Sequence, residues 1–144
     1  MPNRTLHTIV RNRPLVIANP HMTVLEAAKA MKAKGIGSVL VERDGELAGI
    51  FTERDLMNKV VAAGLDVSTT ILDQVMTRDV MGLESDKPLS HALHLMHQHG
   101  FRHVPVLEKG RPIGMVSSRD ALGLEWEQFV REVKIANDIA EILA

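Results

Sequence analysis

The chain has 144 residues, 45% of them apolar and 24% charged, which suits one ordinary core or two small ones and excludes a large multidomain enzyme. Lys and Arg total 17 against 18 Asp and Glu, a formal charge of −1 that excludes the broad cationic surface needed by nucleic acid or an anionic membrane. The absence of cysteine excludes disulfides, thiolate catalysis and cysteine-ligated metals, and aromatic residues at 3% leave few stacking platforms for single-stranded nucleic acid.

The N-terminus, Met1-Pro2-Asn3-Arg4-Thr5, has no hydrophobic signal segment behind it. No apolar run reaches the roughly 18 residues of a membrane span, so a soluble, cytoplasmic protein is expected. A short extended stretch, Leu15–Ala18, leads into a helix on which Val24, Ala27, Ala28 and Met31 recur at helical spacing. Thr23 and Glu26 are placed as its capping box and Gly35 as its left-handed stop. Ser38–Glu42 and Leu47–Phe51 are β-rich runs around Arg43-Asp44-Gly45-Glu46, where Asp-Gly signals a hairpin. A helix follows from about Glu53 to Ala63, closed by Gly64, and Leu65–Thr70 reads as a connection. The order then recurs: extended Val80–Leu83, a helix at Leu89–His99, and strands at Val104–Glu108 and Pro112–Ser117 about a Lys109-Gly110 turn. Last comes an amphipathic helix, Leu124–Leu143, carrying Phe129, Val130, Val133, Ala136, Ile139, Ala140 and Leu143. Such a helix needs a groove, on its own module or on a partner chain.

The recurrence is a true repeat. A shift of 65 residues lays Thr23–Leu56 on Pro88–Ala121 without a gap, and nine of the 34 positions are identical. They include Gly35/Gly100, Gly45/Gly110, Gly49/Gly114, Arg54/Arg119 and Asp55/Asp120. Shared glycines mark shared backbone demands rather than shared composition. The expected fold is α+β (α/β-like): two pseudo-symmetric units, each a short β-sheet with two helices, packed sheet to sheet. The units span 1–64 and 65–122, and 123–144 is the C-terminal helix.

With the repeat in place, Gly49-Ile50-Phe51-Thr52-Glu53-Arg54-Asp55-Leu56 and Gly114-Met115-Val116-Ser117-Ser118-Arg119-Asp120 resemble the end of a CBS (cystathionine β-synthase) domain. Asp73-Gln74-Val75-Met76-Thr77-Arg78-Asp79-Val80 resembles the Val-Met-Thr stretch that opens many such repeats, and Phe101-Arg102-His103-Val104-Pro105-Val106 the entry to the middle strand. The resemblance covers roughly residues 8–122, twice and in order. It implies a stand-alone Bateman module: a pseudo-twofold disc, commonly dimeric, with two clefts that commonly bind adenosine nucleotides.

Thr52-x-x-Asp55 and Ser117-x-x-Asp120 each read as a strand-to-helix capping box. The same carboxylates suit a ribose, since each accepts from both hydroxyls beside a helix N-terminus that favours phosphate. The resemblance assigns Thr52, Asp55, Ser117 and Asp120 to ribose. Arg54 and Arg119 could neutralise phosphate. The resemblance implies that Arg102 and His103 border the phosphate and Thr77 the base, with Ile36 and Phe101 as apolar contacts to it. The units differ in that Arg102-His103 stands where the first has Gly37-Ser38, and Thr77 where the first has Arg11-Asn12-Arg13-Pro14. The better-furnished site is therefore expected on the Asp55 side.

His91, His94, His97 and His99 crowd one helix, but Ala92, Leu95 and Met96 take its apolar side, so the histidines are read as a solvated face rather than a metal site. The reading is a non-catalytic regulatory module, binding adenosine nucleotides of the AMP, ADP and ATP class and acting in trans on an unknown partner. No cofactor is required beyond that ligand, and a homodimer is expected. The alternative is a ligand-free structural or dimerisation module. A small metal-dependent hydrolase is a third and poorer reading, because no carboxylate supports the histidine row.

Overall fold

The computed structural model describes residues 4–144, apart from the side chains at 124–128 and 130, so Met1–Asn3 and the Val130 side chain lie outside the described residues. The elements run α1 (Leu6–Val10), β1 (Ile17–Ala18), α2 (Val24–Lys34), β2 (Ser38–Arg43) and β3 (Glu46–Thr52). A short α3 (Glu53–Asp55) continues as a π-helical stretch, Leu56–Val61. Then come α4 (Leu72–Val75), β4 (Leu83–Glu84), α5 (Leu89–His99), β5 (His103–Glu108) and β6 (Arg111–Ser117). A 3₁₀ segment (Ser118–Leu122) leads into α6 (Gly123–Leu143). The strands form two three-stranded sheets, β1-β2-β3 and β4-β5-β6, with the same topology in each. The first two strands run parallel, and the last two form an antiparallel hairpin with one register shift at matching places, Val41/Glu42 and Val106/Leu107.

Local chemistry accounts for these boundaries. The Thr23 hydroxyl accepts from the Glu26 N–H at 3.1 Å to open α2, and Gly35 closes it at φ 64°. Both hairpins turn through two residues at positive φ, Asp44 and Gly45 in one, Lys109 and Gly110 in the other, which matches the twist of the strands they join. The helix expected over 53–63 forms, but it slips from α to π winding at Leu56. The short helices α1 and α4 were not anticipated, because four or five residues are too few to display a helical period.

Those two helices organise the molecule, because each packs on the other repeat. Leu6 and Val10 of α1 are buried with Leu89, Ala92, Met96, Val104, Val106 and Val116 of the second unit. Leu72 and Val75 of α4, with Met76, are buried in the core of the first, among Val24, Ala27, Val39, Val41 and Phe51. Backbone bonds fasten the exchange: Leu6 N–H to Lys87 O and Leu89 N–H to Arg4 O on one side, Leu72 N–H to Met22 O and Val24 N–H to Thr70 O on the other, all at 2.8–2.9 Å. The two half-cores are thus cross-laced, and β3 and β6 meet between them. Beyond them α6 extends outward, every residue from Arg131 onward exposed. No helix among the described residues is long and apolar enough to cross a membrane.

The exchange depends on two glycines at the same repeat position. A Cβ on Gly114 would lie 2.6 Å from the Cβ of Val10, and one on Gly49 would lie 2.6 Å from the carbonyl oxygen of Thr77. Val10 is only 3% exposed and cannot move aside. Gly114→Ala is therefore expected to lower the denaturant midpoint by an amount worth about 1–3 kcal/mol. Combining it with Val10→Ala should cost less than the sum of the two single changes, because the smaller side chain makes room. Strict additivity would show that the two positions do not press on each other.

Candidate functional site

A cleft of about 600 Å³ opens where the two repeats meet. Its walls are the entries to β2 and β5, the ends of β3 and β6, and the chain leaving α1 and α4. Of the residues singled out in the sequence, all but Asp120 line it.

Asp55 is placed by the end of β3. Thr52 stays extended at φ −119°, and the chain then turns sharply into α3. The Thr52 hydroxyl accepts from the Asp55 N–H at 3.2 Å, and Asp55 Oδ2 accepts from the Thr52 N–H at 3.1 Å, a complete capping box. The carboxylate, 8% exposed, also accepts from the Thr77 hydroxyl at 3.1 Å, and the Lys59 ammonium lies 3.1 Å from Oδ1. Lys59 was not singled out in the sequence. Its signal was the spacing of four residues from Asp55 along a helix.

Asp120 has different company. Its Oδ2 accepts from the Ser117 N–H at 2.8 Å, while Oδ1 is ion-paired with the Arg13 guanidinium. Arg4 donates to its backbone carbonyl at 2.7 Å. Asp120 is 6% exposed and does not reach the cleft, whereas Arg13 does. No linear signal places Arg13 beside a carboxylate 107 positions away.

The cleft concentrates cations. Arg54, Arg102 and Arg119 line it, are exposed, and make no ion pair among the described residues. His103, on β5, has its pKa held below the ordinary 6.5 by burial first and by the Arg119 guanidinium second, with Glu53 and Asp55 opposing in part. It is neutral at pH 7. Glu53 and Asp79 supply the remaining acid in the wall, the Glu53 carboxylate lying over Gly37. Ile36 and Phe101 each lean partly on a core and partly into the cleft, and Phe101 stacks on His99 with centroids 5.4 Å apart. His91, His94, His97 and His99 are all exposed along α5, and among the described residues no group of three or more His, Asp or Glu side chains is placed to hold a metal ion.

The comparisons agree with this architecture. The CBS domain family matches residues 9–62 and again 72–127. An uncharacterized 17.7 kDa protein of Acidianus ambivalens is 37% identical over 106 residues, covering 72% of this chain and 63% of its own length. The chain therefore spans under two thirds of that relative. Among solved structures, a CBS-domain protein of Agrobacterium tumefaciens superposes with a TM-score of 0.71 at 33% identity, covering 83% of this chain and 95% of its own. The CBS domain pair of the protein MJ0100, solved with 5′-methylthioadenosine and S-adenosyl-L-methionine, superposes with a TM-score of 0.74 at 26% identity over 88% of this chain and 99% of its own. The repeat, the two matching sheets and the cleft between them belong together: this chain is a member of the CBS domain family, with two CBS domains in tandem.

Proposed function

We propose that the protein is a non-catalytic regulatory module that binds an adenosine nucleotide of the AMP, ADP or ATP class in the cleft and acts in trans on another polypeptide. The observation that carries this reading is the presence, in one cleft, of a fixed carboxylate and three arginines that make no ion pair among the described residues. Asp55 suits the two hydroxyls of a ribose. Arg54, Arg102 and Arg119 suit phosphate, and Ile36, Thr77 and Phe101 border the space left for the base. The related pair of MJ0100 was solved with adenosine-containing molecules, which supports the ligand class. The arginines argue for an anionic nucleotide over a sulfonium, because clustered cations repel a positive ligand. A ligand touching both repeats acts as a signal by favouring one packing of the units over another.

The exposed apolar side chains of α6, among them Val133, Ile139, Ile142 and Leu143, support self-association as a homodimer. Light scattering should give twice the chain mass for the full protein and the chain mass for a variant ending at residue 122. A full-length monomer would remove dimerisation from the reading.

Thermal melts with AMP, ADP, ATP and S-adenosylmethionine test the ligand. At about 100 times its Kd a nucleotide adds ~2.7 kcal/mol, a rise of several degrees. Asp55→Asn should abolish that rise, and a chain whose melting point no nucleotide moves would be the ligand-free structural module instead.

A phosphate beside neutral His103 supplies the negative neighbour that favours its charged form, so binding takes up protons. Affinity should then strengthen as the pH falls from about 8 toward about 6. Calorimetry in buffers of contrasting ionisation enthalpy should show proton uptake in the wild type and less in His103→Gln. Equal uptake in both would place the phosphate away from His103.

A further inference from the structure

The two ribose-type carboxylates sit at equivalent positions of the repeat and differ in what the crossing segment brings to them. After α4 the chain straightens at Met76 (φ −66°, ψ 155°), and Thr77 pairs its backbone with Ile50. A neutral hydroxyl thereby reaches Asp55. After α1 the chain winds on instead: Arg11 remains helical and the Arg13 N–H bonds to the Val10 carbonyl at 3.0 Å. That extra turn carries a guanidinium to Asp120. Local acids reinforce the difference. Arg78, next to Thr77, is held by Asp73, which also takes Arg43. The residues of α1 include no acid, so nothing nearby claims Arg13.

We propose that Arg13 is a built-in occupant of the Asp120 half-site, so that the chain binds one nucleotide, on the Asp55 side, and not two. Each carboxylate has a cation on Oδ1, but Lys59 reaches Asp55 from one turn further along the same helix and is not part of the cleft lining. Arg13, by contrast, lines the cleft while it holds Asp120, whose Oδ2 already accepts from the Ser117 N–H. Arg13 itself is 43% exposed and lines the cleft, so it stands between the solvent space and the buried carboxylate. A guanidinium is never neutral at physiological pH and holds a carboxylate more firmly than hydroxyls do. Removing it frees Oδ1 of a nearly buried carboxylate to accept from a diol, while Oδ2 keeps the Ser117 N–H. The inference rests on the nucleotide reading above and sharpens it into a stoichiometry.

Titration calorimetry with AMP and with ATP on the intact chain tests it. The wild type should bind one equivalent, lost in Asp55→Asn and kept in Asp120→Asn. Arg13→Gln should bind two, and Arg13→Gln with Asp120→Asn should return to one. Arg13→Met, which keeps the apolar stem, repeats the gain if the glutamine variant melts abnormally. A wild type that binds two equivalents, or Arg13 variants that fold normally and still bind one, would overturn the occupant and leave the Asp55 site standing. Binding only after Arg13 is replaced would sink the Asp55 reading and keep the occupant. No binding by any variant would sink both.

Discussion

The close approach of the crossing segments at Gly49, against the Thr77 carbonyl, and at Gly114, against the Val10 side chain, is the constraint from which the rest of the structure follows. A repeat of about 60 residues buries a small fraction of its surface and is marginal alone. Here each repeat borrows a helical turn from its neighbour, Leu6 and Val10 going one way and Leu72 and Val75 the other. That loan works only if the borrowed turn can lie directly on the last strand, and only a residue without a Cβ permits it. The two units are therefore interdependent.

The cleft is a by-product of that lacing. Because the chain leaving each borrowed turn must pass the end of the other unit's last strand, it arrives beside the Asp that opens the following helix. Whatever residue occupies that passing point becomes part of the site. In one direction it is Thr77, in the other Arg13. Two equivalent Thr/Ser-x-x-Asp steps thus acquire different company from segments far away in sequence. Capping does not preclude the binding role proposed for Asp55, since Oδ2 serves the Thr52 N–H while Oδ1 faces Thr77 and Lys59.

What the sequence made legible were features written locally. Glycines at matched intervals, Asp-Gly in the first hairpin and a Thr/Ser-x-x-Asp step after each hairpin revealed the strand order, the turns and both capping positions. The apolar face of α5 told which side its histidines occupy, and all four are exposed. What stayed illegible was the crossing. The helices α1 and α4 are too short to show a period, so their exchange between cores left no trace in the pattern of apolar residues. The shift to π winding at Leu56 was hidden for a similar reason: one extra residue per turn over so short a stretch does not disturb an apolar stripe enough to be noticed. The pairing of Arg13 with Asp120 depends on the crossing and was hidden with it.

The near-neutral net charge gains a sharper meaning from this geometry. An even balance of acids and bases gives no long-range pull on a polyanion, and what remains is how the charges are dealt out. Asp73 consumes Arg43 and Arg78 on the surface, and Asp120 consumes Arg13. Arg54, Arg102 and Arg119 make no ion pair among the described residues, and all three line one cleft. Screening confines their field to about 8–10 Å at physiological salt, close to the span of a phosphorylated nucleoside and far short of a polymer's. In the proposed reading, selectivity for a small anion comes from gathering these three arginines in one cleft rather than from the overall balance of charge.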